Sequence, residues 1–281
     1  MHAKQRLSIL CPNCRKLISR DVAQCPYCGT TRPGSIFKNN TLVRSMAQED
    51  QLIRIILYAN IGMYIISLLF NPRLTNLSLN PIHFLSPDNQ SLFLLGATGA
   101  VPVNQLGRWW TLVSANYLHG GILHIAFNMI ALKQLAPLVA REYGNYRMFV
   151  IYSLSGVIGY LVSCLAGVSF TIGASAAVCG LMGAALYYGR SRGGEYGRAV
   201  YSQIGGWAAT LFIFGFMVPG INNWGHGGGI VGGIVLGFLL GYRERSQERG
   251  VHRVLSFACL LVTAMVLAWV VFSTMLIHLL S

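Results

Sequence analysis

The sequence predicts an all-α, polytopic membrane protein, and three observations carry that prediction. Of its 281 residues 54% are hydrophobic and only 10% are charged, whereas soluble domains carry about 25% charged residues. Beyond the first fifty positions the chain is a succession of apolar runs, each long enough to cross ~30 Å of hydrocarbon at ~1.5 Å per residue. The Lys and Arg residues are also partitioned between alternate connections of those runs.

The first element is a pair of cysteine knuckles, Cys11-Pro12-Asn13-Cys14 and Cys25-Pro26-Tyr27-Cys28-Gly29. Two tight turns of this spacing can aim four thiolates at one tetrahedral ion, and zinc is the natural occupant. A pair of disulfides is the alternative, but a cytoplasmic segment keeps its thiols reduced. With all four positions filled by protein there is no open site for water, so the metal is expected to be structural and to take no part in catalysis. Residues 1–35 resemble a zinc ribbon; whether it binds a partner of its own or only folds a tail stays open. Residues 36–51 read as a polar linker.

Seven spans follow, at about 52–70, 118–139, 147–167, 175–189, 203–218, 226–242 and 254–279. The fourth and fifth are short and begin after Gly-rich or Pro-containing loops, where irregular backbone below the membrane surface survives only if buried or lining a wet cavity. Residues 71–117 form a long connection whose Leu92–Leu95 stretch and Trp109–Trp110 pair suit the membrane interface.

With the N-terminus in the cytoplasm, 1–51, 140–146, 190–202 and 243–253 fall inside. The segments 71–117, 168–174, 219–225 and Ser281 then lie outside. Only Arg73 and Arg108 of the 21 Lys plus Arg lie on the outer side, as the positive-inside rule requires. The net charge of +13 is therefore explained by orientation and by contact with anionic membrane lipid, and no nucleic-acid partner is expected. The opening MHAKQRLSILCPNC does not read as a cleavable signal, so the first span is expected to direct insertion, into the plasma membrane.

Three polar clusters interrupt the spans: His119/His124/Asn128, Gly173-Ala174-Ser175, and Asn222-Asn223-Trp224-Gly225-His226. Polar groups in hydrocarbon are costly unless paired or solvated, so a Ser, two His and an Asn at one level suggest a site. A serine hydroxyl becomes a nucleophile when an imidazole accepts its proton, and acyl transfer needs donors for the oxyanion. His124 and Asn128 share a helix face and can both point at one spot. No Asp or Glu falls in a span, so Ser175 and His226 would form a dyad. Gly229, Gly233 and Gly237, facing Gly180, Gly183 and Ala184, allow the close helix contact that joins them.

GRWWTLVSANYLHGGILHIAFNMIAL, TIGASAAVCGLMGA and NNWGHGGGIVGG, in that order, resemble the successive signatures of the rhomboid family of intramembrane serine proteases. The resemblance covers roughly residues 52–243. It implies a six-helix catalytic core there, with 244–281 adding a cytoplasmic loop and a seventh helix whose C-terminus lies outside. It implies Ser175 as nucleophile, His226 as base, His124 and Asn128 as oxyanion stabilisers, transmembrane proteins as substrates, and no cofactor for catalysis. The chain departs from the family pattern in three places: Arg-Trp-Trp at 108–110, Ala176 for Gly, and Cys179 for an aromatic. The alternative is a catalytically inactive relative that binds transmembrane helices; a metal or solute transporter lacks the intramembrane carboxylate it would need.

Overall fold

The structure, a computed structural model, describes residues 8–11, 14, 16–34, 51–71 and 85–280. Residues 36–50 of the expected linker, Arg73 and Ser281 lie outside these. The chain divides into two compact units, Met1–Leu52 and Ile53–Ser281.

The first unit is built on a two-stranded antiparallel ribbon, β1 (Ser8–Leu10) and β2 (Leu17–Ser19), with Ile9 opposite Ile18 and Leu10 opposite Leu17. Alternation along a strand sends Ile9 and Ile18 to one face. Ile18 is buried there against Cys11 and Cys25. The two knuckles close alike, the Cys11 N–H on the Lys16 carbonyl and the Cys25 N–H on the Thr30 carbonyl, each at 2.8 Å.

The second unit is helical. Its nine α-helices among the described residues are α1 (Gln51–Leu69), α2 (Asn89–Leu94), α3 (Thr111–Ser114), α4 (Ile122–Tyr143), α5 (Asn145–Leu165), α6 (Ser175–Arg192), α7 (Gly194–Met217), α8 (Asn223–Leu240) and α9 (Gly250–Leu280). Seven have 18 residues or more, and five of those, α1, α4, α5, α7 and α9, are long and apolar enough to cross a membrane. The protein is a multi-pass membrane protein. The two long helices outside that set, α6 and α8, are the ones richest in small residues. Large side chains are replaced there because the two backbones lie against each other. A Cβ on Gly233 would stand 1.9 Å from the Gly180 carbonyl oxygen, one on Gly183 would stand 2.1 Å from the Ile230 oxygen, and one on Gly229 would stand 2.2 Å from the Ala176 oxygen. Small residues permit this approach, which van der Waals contact then stabilises without help from a hydrophobic effect between helices.

Two sequence expectations are corrected here. The fifth span is not short: α7 runs for 24 residues, because Gly193 and Gly194 end one helix and the next restarts at Gly194. The longer helices also bring in carboxylates the spans were expected to lack, Glu142 in the last turn of α4 and Glu195 in the first turn of α7. Glu142 sits at the arginine-rich end of the bundle, the end opposite Ser175, where its carboxylate meets Arg141 at 2.9 Å and the Tyr196 hydroxyl at 2.9 Å.

The connection before α4 is built and partly buried. Asp88 caps α2 by accepting the Ser91 N–H at 2.9 Å, and Leu92 and Leu95 are buried, whereas Trp109 and Trp110 remain exposed. Arg108 fastens it by donating to the Phe93 carbonyl at 3.0 Å, with its guanidinium 4.5 Å from the centre of the Phe93 ring.

At the arginine-rich end Arg147, fully buried, donates to the carbonyls of Gly241 (2.8 Å) and Ser246 (2.9 Å) and to His252 Nδ1 (3.2 Å). Glu248 reaches the same place and accepts the Tyr146 and Arg147 N–H groups at 3.0 and 3.2 Å, which satisfies free donors of the α5 N-terminus. The turn between α4 and α5 is Gly144, at φ 99°; a Cβ there would meet the Glu248 carboxylate at 2.3 Å. This lock fixes α9 to the bundle. Replacing Arg147 with Ala leaves the two carbonyls without this donor, while His252 Nδ1 keeps the Arg249 N–H at 3.0 Å. The expected cost is about 3 kcal/mol, read as a lower thermal midpoint in micelles together with faster tryptic cleavage at Arg243, Arg245 and Arg249.

Candidate functional site

Ser175 opens α6 and His226 stands in the first turn of α8, and the packing of these helices brings the Ser175 Oγ to 3.0 Å from His226 Nε2. An imidazole nitrogen at this distance can accept the hydroxyl proton when its own proton sits on Nδ1. His226 Nδ1 is buried and has no hydrogen-bond partner among the described residues.

The nucleophile's loop is fixed by the peptide units of Gly173. Its N–H donates to the Ala115 carbonyl at 2.9 Å, and its own carbonyl accepts the Tyr160 hydroxyl at 2.5 Å. Gly173 has φ 124°, a conformation open to glycine and strained for other residues. A Cβ here would also stand 2.7 Å from His124 Nε2 and 3.6 Å from Ser175 Oγ. Glycine thus leaves His124 and Ser175 facing one small space. His124 Nδ1 accepts the Gly120 N–H at 3.3 Å, so the neutral ring carries its proton on Nε2. That N–H is a donor turned toward Gly173.

Asn128 is buried on the same helix as His124, one turn further on, and its amide N–H donates to the His124 carbonyl at 2.9 Å. One of its two amide protons is therefore engaged within α4, leaving one for another acceptor. His119, singled out with these residues, is fully buried with its ring edge-on to His124 at 5.1 Å between centres. Cys179 is buried, and its Cβ lies 3.2 Å from where a Cβ on Gly229 would stand. It therefore faces α8 within one turn of His226, with no ring to fill that space.

Gly159 does not stand out in the sequence, yet it sits where three helices meet directly behind the Ser–His pair. A Cβ there would stand 2.6 Å from the Gly225 oxygen, 3.0 Å from the Ala176 Cβ and 3.1 Å from the Gly229 nitrogen. The readable signal was Gly156-Val-Ile-Gly159-Tyr160 in the third span, a small-residue spacing followed by the tyrosine that holds Gly173.

The cysteine cluster is a separate site in the first unit. The sulfurs of Cys11, Cys14, Cys25 and Cys28 all lie within 4.8 Å of one another, with 3.6 Å between Cys11 and Cys28 and 3.7 Å between Cys14 and Cys25. A disulfide needs ~2.05 Å, whereas four sulfurs at ~2.3 Å from a central ion are ~3.8 Å apart in a tetrahedron. The four thiols therefore fit a metal ion. The Thr30 hydroxyl, 3.2 Å from Cys28 Sγ, and the Thr30 N–H pull the Cys28 thiol toward its thiolate, whereas Cys14 in the same quartet is pushed up, so the first negative charge of the cluster rests on Cys28.

Fold and site together define a helical membrane protein that holds a serine and a histidine in hydrogen-bonding contact inside its bundle. Residues 106–243 match the family model of the Rhomboid domain, and the chain carries a rhomboid domain over that stretch. It is 35% identical over 146 residues to Rhomboid protease GluP of Bacillus subtilis, covering 52% of this chain and 29% of that protein. It is 40% identical over 119 residues to RHOMBOID-like protein 5 of Arabidopsis thaliana, covering 40% and 38%. It is 33% identical over 121 residues to Putative rhomboid protease YdcA of Bacillus subtilis, covering 42% and 58%. The match spans less than two thirds of each of these relatives.

Gly159→Val would push α5 away from Ala176 and Gly225 together. Overpacking of this kind is expected to cost about 3 kcal/mol, visible as a lowered unfolding midpoint in micelles.

Proposed function

We propose that this protein is an intramembrane serine endopeptidase that cuts the transmembrane segments of other membrane proteins with a Ser175–His226 dyad. The observation that carries the reading is the 3.0 Å contact between Ser175 Oγ and His226 Nε2, set between helices of a rhomboid domain. Ser175 attacks the substrate carbonyl as His226 takes its proton. His226 then returns a proton to the leaving amine and activates the water that releases the acyl-enzyme. The Nε2–H of His124, the Ser175 N–H and the free amide proton of Asn128 are the donors for the oxyanion.

Substrate enters between α4 and α7. Ile213, Phe214, Phe216 and Met217 of α7 are exposed near the Ser175 end. The bonds joining the two helices, Arg141 and Glu142 to Tyr196, lie at the other end. The arginine-rich end faces the cytoplasm of a plasma-membrane protein, and cleavage takes place near the outer surface. Residues 1–35 form a ribbon around a structural zinc, 36–51 link it to the core at 52–243, and 244–281 add the seventh span.

A second reading, a catalytically inactive relative that binds transmembrane helices, is favoured by two observations: His226 Nδ1 has no partner among the described residues, and Cys179 supplies no ring to hold the imidazole.

A fluorophosphonate probe applied to the protein in lipid bilayers decides between the readings. The proteolytic reading expects labelling that falls at least about 100-fold in Ser175→Ala and in His226→Ala. Absence of labelling in folded wild type, repeated with Cys179→Phe, sinks it in favour of the binder. For the ribbon, elemental analysis is expected to find one zinc per chain, lost in Cys25→Ser with labelling of Ser175 unchanged.

A further inference from the structure

Asn222 stands just outside α8 and makes four hydrogen bonds. Its carbonyl accepts the His226 N–H at 3.1 Å, and its side-chain Oδ1 accepts the Gly225 N–H at 2.9 Å. Those two are the work of a helix N-cap. The other two come from Nδ2, which donates to Ser163 Oγ at 2.6 Å and to Thr171 Oγ1 at 3.0 Å. Capping does not require them. Ser163 is fully buried near the end of α5, and Thr171 lies four residues before Ser175, as Asn222 lies four before His226. Thr171 is itself held, its N–H on the Thr98 carbonyl at 2.7 Å and its carbonyl by the Thr98 N–H at 3.1 Å.

The geometry gives these bonds a task. In a triad, a carboxylate on the second imidazole nitrogen orients the ring; here His226 Nδ1 has no partner among the described residues. The position of His226 against Ser175 then depends on how the start of α8 sits against the segment leading to α6. Asn222 bonds both, and its carboxamide suits this because one end accepts the cap bond while the other donates across the gap. A serine could cap α8 equally well but is too short to reach Ser163 and Thr171.

We infer that Asn222 is a positioning residue for the Ser175–His226 pair, tying the start of the helix that carries the base to the segment that carries the nucleophile. The inference rests on the proteolytic reading above for its catalytic consequence, and the tie itself can be measured without activity.

The test uses the full chain in bilayers and compares wild type with Asn222→Ser, which keeps the cap and loses the tie, and with Ser163→Ala/Thr171→Val, which removes the acceptors without touching α8. Two readouts are taken: saturation kinetics of fluorophosphonate labelling, and hydrogen exchange of 166–174 and 222–227. Both variants are expected to lower the maximal labelling rate about 10-fold, with half-saturation unchanged within about two-fold, since misplacement of reacting groups acts on the chemical step. Exchange should rise in both segments, and combining the variants should add little, as for residues of one network. Wild-type labelling kinetics in Asn222→Ser, or exchange rising around 222–227 alone, would reduce Asn222 to a cap and overturn the inference. If wild type takes no label, the proteolytic reading has failed, and exchange alone decides the tie: a joint rise upholds it and a rise confined to one segment ends it.

Discussion

Everything in the second unit depends on three helix backbones coming within van der Waals contact. Helices α5, α6 and α8 meet through Gly159, Gly180, Gly183, Gly229 and Gly233, each of which leaves less than an ordinary contact distance for a Cβ. In a bilayer, lipid tails are as apolar as leucine, so large side chains gain little by facing another helix and close packing must supply the attraction. The cost is that α6 and α8 lose the bulk that marks a membrane span. They are accordingly the two long helices that composition alone does not mark as crossing, although they lie at the centre.

That contact is also what makes a polar site affordable between apolar helices. Ser175 and His226 sit at the first turns of α6 and α8, so the crossing that brings Gly229 to Ala176 brings the two side chains to 3.0 Å. The rest of the site is held from its surroundings: Gly173 by Ala115 and Tyr160, His124 by the Gly120 N–H, the start of α8 by Asn222. Anchoring of this kind stands in for the third member of a soluble triad, because a carboxylate inside the bundle would carry a desolvation cost of its own.

How much of this was legible in the sequence follows from the range over which each signal acts. Five of the long helices and the cysteine quartet are readable because hydropathy and knuckle spacing are local, whereas α6 and α8 show as shorter apolar runs bounded by glycine-rich breakers. The boundaries were less so. Gly193-Gly194 looks like a break that shortens the fifth span, yet a single left-handed turn suffices before α7 restarts. The stretch Leu92–Leu95 reads as interfacial, but Leu92 and Leu95 are buried. The convergence of Ser175, His226 and His124 is suggested by their matching depth, whereas Gly159, Tyr160 and Asn222 act on residues between 13 and 70 positions away and show no pattern until the helices are packed.

The Arg147 lock has a consequence for how the chain is made. The carboxylate that satisfies the Tyr146 and Arg147 N–H groups comes from Glu248, 102 and 101 positions later, beyond the end of the rhomboid domain at residue 243. A chain threaded into the membrane from its N-terminus therefore holds Arg147 without these partners while α6, α7 and α8 are still being synthesised. During that interval the guanidinium keeps to the wet boundary of the bilayer, as long cationic side chains do. The lock can therefore close only once the segment from Gly241 to His252 has been made, after the helices whose ends it joins.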